Sequence, residues 1–311
     1  MADEEKNVSE NLWTPILPRE IPPMTLKIVN AIIDRIPELP LSVQKVIELS
    51  SNEESKLEDI VNVIASDPAL VSSILKVVNS SYYGLSHKTD NLHLAIVLLG
   101  FKEVKKIAIK SFMSRNLYKD KALETYDTRN LWEHSYLVSI CAESFVKEDK
   151  SQKRGIFLTL GLLHDIGKFA LYDIALLFKK MDIKPKALKT ITDSTCILEK
   201  EEKLFGINHS IIGGMLAKKW NLSGRIISVL ECHHHPSFYG VKEVPPEFEE
   251  EISAICIADL VVNKFKEEKN PLPEPHQHFF NVLGLTPPVD NILTDSMRQK
   301  IGKALEFVEI L

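Results

Sequence analysis

In the segment FLTLGLLHDIGKFAL, the adjacent His164 and Asp165 interrupt a run that is otherwise apolar on nearly every face. A carboxylate buried there without a partner is costly and tends to neutralise by shifting its pKa, so Asp165 requires a cation or strong donors beside it. A metal ion meets that requirement. Lys168, about one turn from His164, can instead be the cation, or can reach the oxygens of a bound phosphate. Asp259 stands in the same predicament in ISAICIADLVVNKF, flanked by Ile257, Ala258, Leu260 and Val261. Two acids in two apolar helices ask for one shared cation.

Imidazoles accompany them. His134 lies on an apolar helix side in LWEHSYLVSI, His209 opens HSIIGGMLAKKW after Gly206 and Asn208, and His233-His234-His235 ends a helix stopped by Pro236. Nitrogen and carboxylate donors together suit iron, manganese, zinc or nickel better than calcium or magnesium, which prefer oxygen alone. Each residue also has a plain structural reading. A lone helical His is more often a satisfied core or surface residue, a His run before proline is usually a solvated helix end, and Asp259 can pair with Lys264 or Lys266. HDIGK alone is a hypothesis about context. The whole set in one half of the chain is hard to explain as independent accidents.

The elements that must position these groups read as helices throughout, because apolar residues recur at helical spacing and period-2 runs are missing. Residues 1–24, polar and punctuated by Pro15, Pro18, Pro22 and Pro23, predict an extended or loosely docked lead-in. Residues 25–122 predict a bundle of short helices. In it, Asp67 caps a helix that Pro68 opens and that runs to Val78, and Gly100 closes a helix over Leu92–Leu99 before another begins at Lys102. A charged stretch over 119–128 marks the subdomain boundary. Residues 123–311 predict helices near Leu131–Val146, Ile156–Phe178, His209–Lys219, Ser223–His233 and Ile252–Phe265, then a proline-rich wrapped loop and a last helix near Asp295–Leu311. The fold class is therefore all-α, two packed helical subdomains.

Composition excludes several roles. The chain has 311 residues, 44% of them hydrophobic, and a formal net charge of -5 with Lys and Arg interleaved among acids, so it offers no field for direct nucleic-acid binding. The N-terminal MADEEKNVSENLW lacks the basic and apolar regions of a signal peptide, and the longest apolar stretch, Gly155–Leu171, is broken by His164, Asp165 and Lys168. No membrane association is expected. Cys141, Cys196, Cys232 and Cys256 stand singly, without zinc-ribbon spacing, which fits a reducing cytoplasm.

The segments IPELPLSVQKVIELS, IASDPALVSSILKVVNSSYYGLS, LAIVLLGFKEVKKIAI and EEKLFGINHSIIGGMLAKKWNLSGRIISVLECHHHP resemble successive signatures of the HDOD proteins, bacterial signalling relatives of the HD phosphohydrolases. The resemblance covers residues 25–265. It implies an HD-type helical bundle in the C-terminal subdomain and a regulatory role, with a protein partner in signalling or a small phosphorylated or nucleotide ligand. Many HDOD proteins lack the HD dyad, whereas His164-Asp165 keeps it here. The wider superfamily's first His and last Asp carry over onto His134 and Asp259. By resemblance to the binuclear HD-GYP phosphodiesterases, His209, His233 and His234 extend the cage to a second metal, and Lys168 matches their HD-x-G-K lysine. The GYP segment is absent. One or two divalent transition metals are implied, iron or manganese first and zinc or nickel as alternatives. The other function in view is an active phosphohydrolase, in which Asp165 bridges two metals, a metal-activated water attacks, and Lys168 stabilises phosphate charge.

Overall fold

The computed structural model describes residues 13–50, 52, 54–116, 128–147, 153–180, 196–239, 243–267 and 272–308. The fold is all-α, and among the described residues there is no strand. The chain opens with α1 (Pro23–Ile33), which packs against the C-terminal half, and four helices then build the N-terminal bundle: α2 (Leu41–Leu49), α3 (Leu57–Ala65), α4 (Pro68–Val78) and α5 (Leu92–Asn116). The C-terminal half follows with α6 (Thr128–Ser144), α7 (Arg154–Leu163), α8 (Gly167–Lys180), α9 (Ile197–Phe205), α10 (His209–Lys219), α11 (Gly224–Cys232), α12 (His235–Phe238), α13 (Glu249–Phe265), α14 (Gln277–Leu283) and α15 (Asp295–Val308).

Local chemistry sets several of these boundaries. Asp67 Oδ1 accepts from the backbone N–H of Ala69 (3.1 Å) and Leu70 (3.2 Å), the capping that the Asp-Pro pair predicts. Its other oxygen accepts from Ser42 Oγ at 2.9 Å, which ties α4 to the start of α2. Gly100, at φ +74°, bends α5 into two segments, as expected from its place after Leu99.

Other expectations need correction. The single helix predicted over Ile156–Phe178 is two, because the chain turns at 164–166 between α7 and α8. Periodicity could not show this break, since every residue from Phe157 to Leu163 is buried and no polar face marks where α7 stops. Arg154–Ala175 also has the length and mean hydropathy (1.2) to cross a membrane, contrary to expectation, but 83% of that window is buried inside the fold. The lead-in is docked where it is described. Trp13 meets Phe238 edge-on (5.9 Å between ring centroids), Leu17 is buried, and Ile16 N–H donates to Glu202 Oε1 at 2.9 Å. The loop expected before the last helix contains α14. The predicted boundary over 119–128 falls almost wholly outside the described residues.

One continuous apolar core runs from Val29 to Val308 through both halves. Across their contact, Trp220 Nε1 donates to Pro37 O (3.0 Å), and Lys219 Nζ donates to Ile33 O (2.6 Å) and Ile36 O (2.7 Å). Tyr82 and Tyr83 pack their rings on Phe307 of α15. Two lysines of α5 are buried at the same contact. Lys105 Nζ donates to Gly155 O (2.8 Å) and Thr159 Oγ1 (3.2 Å) of α7, and Lys106 Nζ to Glu103 Oε1 (2.7 Å) and Tyr136 Oη (3.0 Å). Burial pushes the Lys105 amine down to about 7.

Candidate metal centre

Five elements deliver the polar cluster. His134 comes from the middle of α6, His164 and Asp165 from the turn after α7, His209 from the first position of α10, His233 and His234 from the turn after α11, and Asp259 from α13. All seven side chains are buried. The turn exists because α8 must lie against α10 almost backbone to backbone. A Cβ placed on Gly167 would sit 1.9 Å from His209 O and 2.6 Å from Gly213 N, so only hydrogen fits there. That approach carries Asp165 up to His209.

Asp165 sits between two sets of imidazoles. Its Oδ2 lies 2.6 Å from Lys168 Nζ, 3.3 Å from His164 Nε2 and 3.7 Å from His134 Nε2. Its Oδ1 faces the other way, 3.1 Å from His209 Nε2 and 4.0 Å from His233 Nε2. Asp259 Oδ1 is 2.9 Å from His134 Nε2 and Oδ2 is 3.9 Å from His234 Nδ1. The donor atoms fall into two groups, Asp165 with His209, His233 and His234, and His134 with His164 and Asp259; within each, all lie within 4.8 Å of one another.

The surroundings fix which ring nitrogens point inward. His164 Nδ1 lies 2.8 Å from Gly161 O, and His233 Nδ1 lies 2.9 Å from Leu230 O. A carbonyl only accepts, so each Nδ1 carries the proton and each Nε2 turns a lone pair to the centre. Glu201 Oε2 does the same for His209, accepting from its Nδ1 (2.7 Å) and its backbone N–H (2.8 Å). Asn263 Nδ2 donates to Asp259 Oδ1 at 3.0 Å.

What remains is a set of buried atoms that make no well-directed hydrogen bond, although His134 Nε2 and Asp165 Oδ1 have close ion-pair contacts: His134 Nε2, His164 Nε2, His233 Nε2, His234 Nδ1 and Asp165 Oδ1. One orphan of this kind costs about 1–3 kcal/mol. Five of them converging on one space is an arrangement that a bound cation would satisfy. Protonation points the same way. Burial would raise the Asp165 carboxyl, but His164, Lys168 and His209 outweigh it and hold it well below the usual carboxylate range. Burial pushes His233 down to about 3, and pushes His234 well below its ordinary value. His209 goes the other way, to about 9, because Glu201 and Asp165 overcome its burial. Ionised carboxylates and neutral imidazoles are the forms that bind metals, and the His209 proton is the one that a cation would displace.

The seven ligand candidates singled out in the sequence thus meet in one place, joined by Lys168, whose ammonium reaches one oxygen of Asp165 while the other faces His209 and His233. The local alternatives fail. Lys264 pairs with Asp290 (2.8 Å) and Lys266 with Glu133 (3.2 Å), so neither serves Asp259, and the His run is a buried turn, with only His235 directed away, onto Glu243 O at 2.9 Å. Glu201 and Asn263 were missed. Asn263 lies one turn from Asp259, a visible spacing, whereas Glu201 reaches His209 only because Gly206 (φ +72°) reverses the chain between α9 and α10.

The HDOD domain model matches residues 36–236. An uncharacterised protein of Treponema pallidum is 25% identical over 300 residues, covering 91% of this chain and 53% of that protein, so the chain spans about half the length of this relative. Among solved structures, an HDOD domain protein of unknown function from Geobacter sulfurreducens aligns with a TM-score of 0.63 at 17% identity, covering 93% of this chain and 98% of that one. A candidate phosphohydrolase from Shewanella amazonensis aligns at 0.58 and 18% identity, covering 91% and 97%. At such identities the likeness to these structures is one of fold.

Proposed function

Because the chain belongs to the HDOD domain family, we propose that it is a regulatory signalling protein of the bacterial cytoplasm whose C-terminal helical half, residues 123–311, carries a two-metal centre. His134, His164, Asp165 and Asp259 hold one divalent transition-metal ion, and Asp165, His209, His233 and His234 hold the second. The observation that carries this reading is Asp165, whose two oxygens face the two separate groups of imidazoles. The mixed nitrogen and oxygen donors favour iron or manganese, and zinc or nickel also suit them. Partner proteins or a small phosphorylated or nucleotide ligand then sense the loaded state. Elemental analysis of protein purified without chelator or affinity histidines tests it. One to two equivalents of a transition metal are expected, lost in Asp165→Ala; metal-free wild-type protein would overturn the centre.

A second reading, metal-dependent phosphohydrolase, is favoured by Lys168. Its side chain is 20% exposed while that of Asp165 is 1% exposed, so Lys168 lies at the outer edge of the buried ligands with its ammonium on Asp165. Bound metals supply Lewis acidity and an activated water. Asp165, ionised and held by Lys168, keeps the ligand groups in register, and Lys168 offsets negative charge on a phosphoryl group docked at that edge. Hydrolysis of bis(p-nitrophenyl) phosphate, reduced about 100-fold in Lys168→Ala with metal content unchanged, is the expected result. Full metal loading without turnover leaves the regulatory function standing alone.

A further inference from the structure

A cavity of about 560 Å³ lies away from the His/Asp cluster in the seam between the two halves. One wall is α2 of the N-terminal bundle, with Gln44, Ile47 and Glu48; the other is α7, with Ile156, Thr159 and Leu160, and the start of α11, with Arg225 and Ile226. The volume is that of a small-molecule site. Its chemistry is mixed in a particular way. Aliphatic side chains from both halves provide flat apolar surfaces. Three carboxamides, Gln44, Asn52 and Asn221, offer donor and acceptor atoms side by side, and Arg225 supplies a guanidinium whose Nε lies 3.2 Å from Glu251 Oε1. Gln44 is held in place by donating from Nε2 to Leu39 O at 2.7 Å. Carboxamides match the alternating edges of a heterocyclic base, aliphatic walls take its faces, and guanidinium pairs with phosphate.

The position of the cavity matters as much as its lining. Helices α7 and α11 form its far wall, and the turns at their C-terminal ends supply His164, Asp165, His233 and His234. Thr159 lies on the cavity, and its hydroxyl oxygen accepts a hydrogen bond from buried Lys105 of α5, so the helix that ends at the HD pair is pinned to the N-terminal bundle at the same level.

We propose that this cavity binds a nucleoside monophosphate and couples its occupancy to the metal centre through α7 and α11. The coupling rests on the two-metal reading above; the binding site does not. Because a coupling free energy is reciprocal, metal loading must change nucleotide affinity by the factor by which nucleotide changes metal affinity.

The test is calorimetric titration of adenosine 5′-monophosphate into the full-length protein, metal-loaded and metal-stripped, with guanosine 5′-monophosphate in parallel. One equivalent of either nucleotide is expected to bind. Ile226→Trp, which fills the cavity, should abolish binding, and Arg225→Gln should weaken it about 10-fold, with circular dichroism verifying that both variants fold. Asp165→Ala should still bind. Loss of binding in Asp165→Ala with retention in Ile226→Trp would move the nucleotide to the metal centre and overturn the proposal, as would binding of neither nucleotide. If the protein holds no metal yet binds nucleotide in the cavity, the site stands and the coupling falls. Equal affinity in the loaded and stripped forms likewise removes the coupling.

Discussion

The protein buries charge in two places and treats it in opposite ways. At the contact of α5 with α6 and α7, Lys105 and Lys106 donate hydrogen bonds to Gly155 O, Thr159 Oγ1, Glu103 Oε1 and Tyr136 Oη. At the His/Asp cluster, second-layer partners lock the rings, and the atoms that matter are then left without any. Buried charge that is satisfied locks one structure in place. Buried polar atoms left open in concert suit a ligand, and in the proposed centre that ligand is a divalent cation.

The most severe way to break the comparison is to keep the open atoms from meeting. Gly167→Ala puts a methyl group into the His209 carbonyl, and we expect it to lower the melting temperature by more than about 10 °C, since overpacking against backbone exceeds the usual ~1–3 kcal/mol of a core misfit. A thermal melt in chelator isolates this from metal binding; an unchanged melt would mean that α8 and α10 separate easily. Next comes removal of the cation. Ions present at about 1,000 times their dissociation constant stabilise the fold by about 4 kcal/mol, so the loaded protein should melt about 6 °C above the stripped one. Coincident melts would show that the open atoms cost nothing.

Smaller effects sharpen the contrast. Glu201→Gln keeps the ring of His209 in place but weakens its orientation and basicity, and metal affinity measured by chelator competition should fall about 10–100-fold with the fold intact. Unchanged affinity would make the Glu201–His209 pair purely structural. At the satisfied site, the expected signal is in pH. With the Lys105 amine held down near 7, the unfolded chain binds a proton that the folded chain lacks from there up to the ordinary lysine value of about 10.4. Stability therefore rises with pH through that window, by at most about 1.4 kcal/mol per unit from this group. Lys105→Met should flatten the rise in metal-stripped protein; parallel profiles would mean that Lys105 stays charged when folded.

Legibility in the sequence followed the range of the interaction. Asp67-Pro68 and Gly100 act within a few residues, and both boundaries were readable. The ligands were readable too, because a charged or imidazole group in an apolar helix is conspicuous wherever its partner lies. The break at 164–166 was not, because α7 is buried on every side and its end is set by the approach of Gly167 to α10, a contact across 42–46 positions of chain. Helix α9, ILEKEEKLF, was passed over because it is mostly charged, yet it supplies Glu201, a buried acid (1% exposed) whose partner is fixed only by the reversal at Gly206. The seam cavity left no mark in either half alone.

The docked lead-in has a mechanical consequence. Ile16 N–H is held by Glu202 Oε1, the same oxygen that accepts from Asn208 Nδ2 at 2.6 Å, and Asn208 caps the helix that begins with His209. A pull on the chain upstream of Trp13 is therefore transmitted to the His209 ring in three links, each a hydrogen bond or a peptide unit.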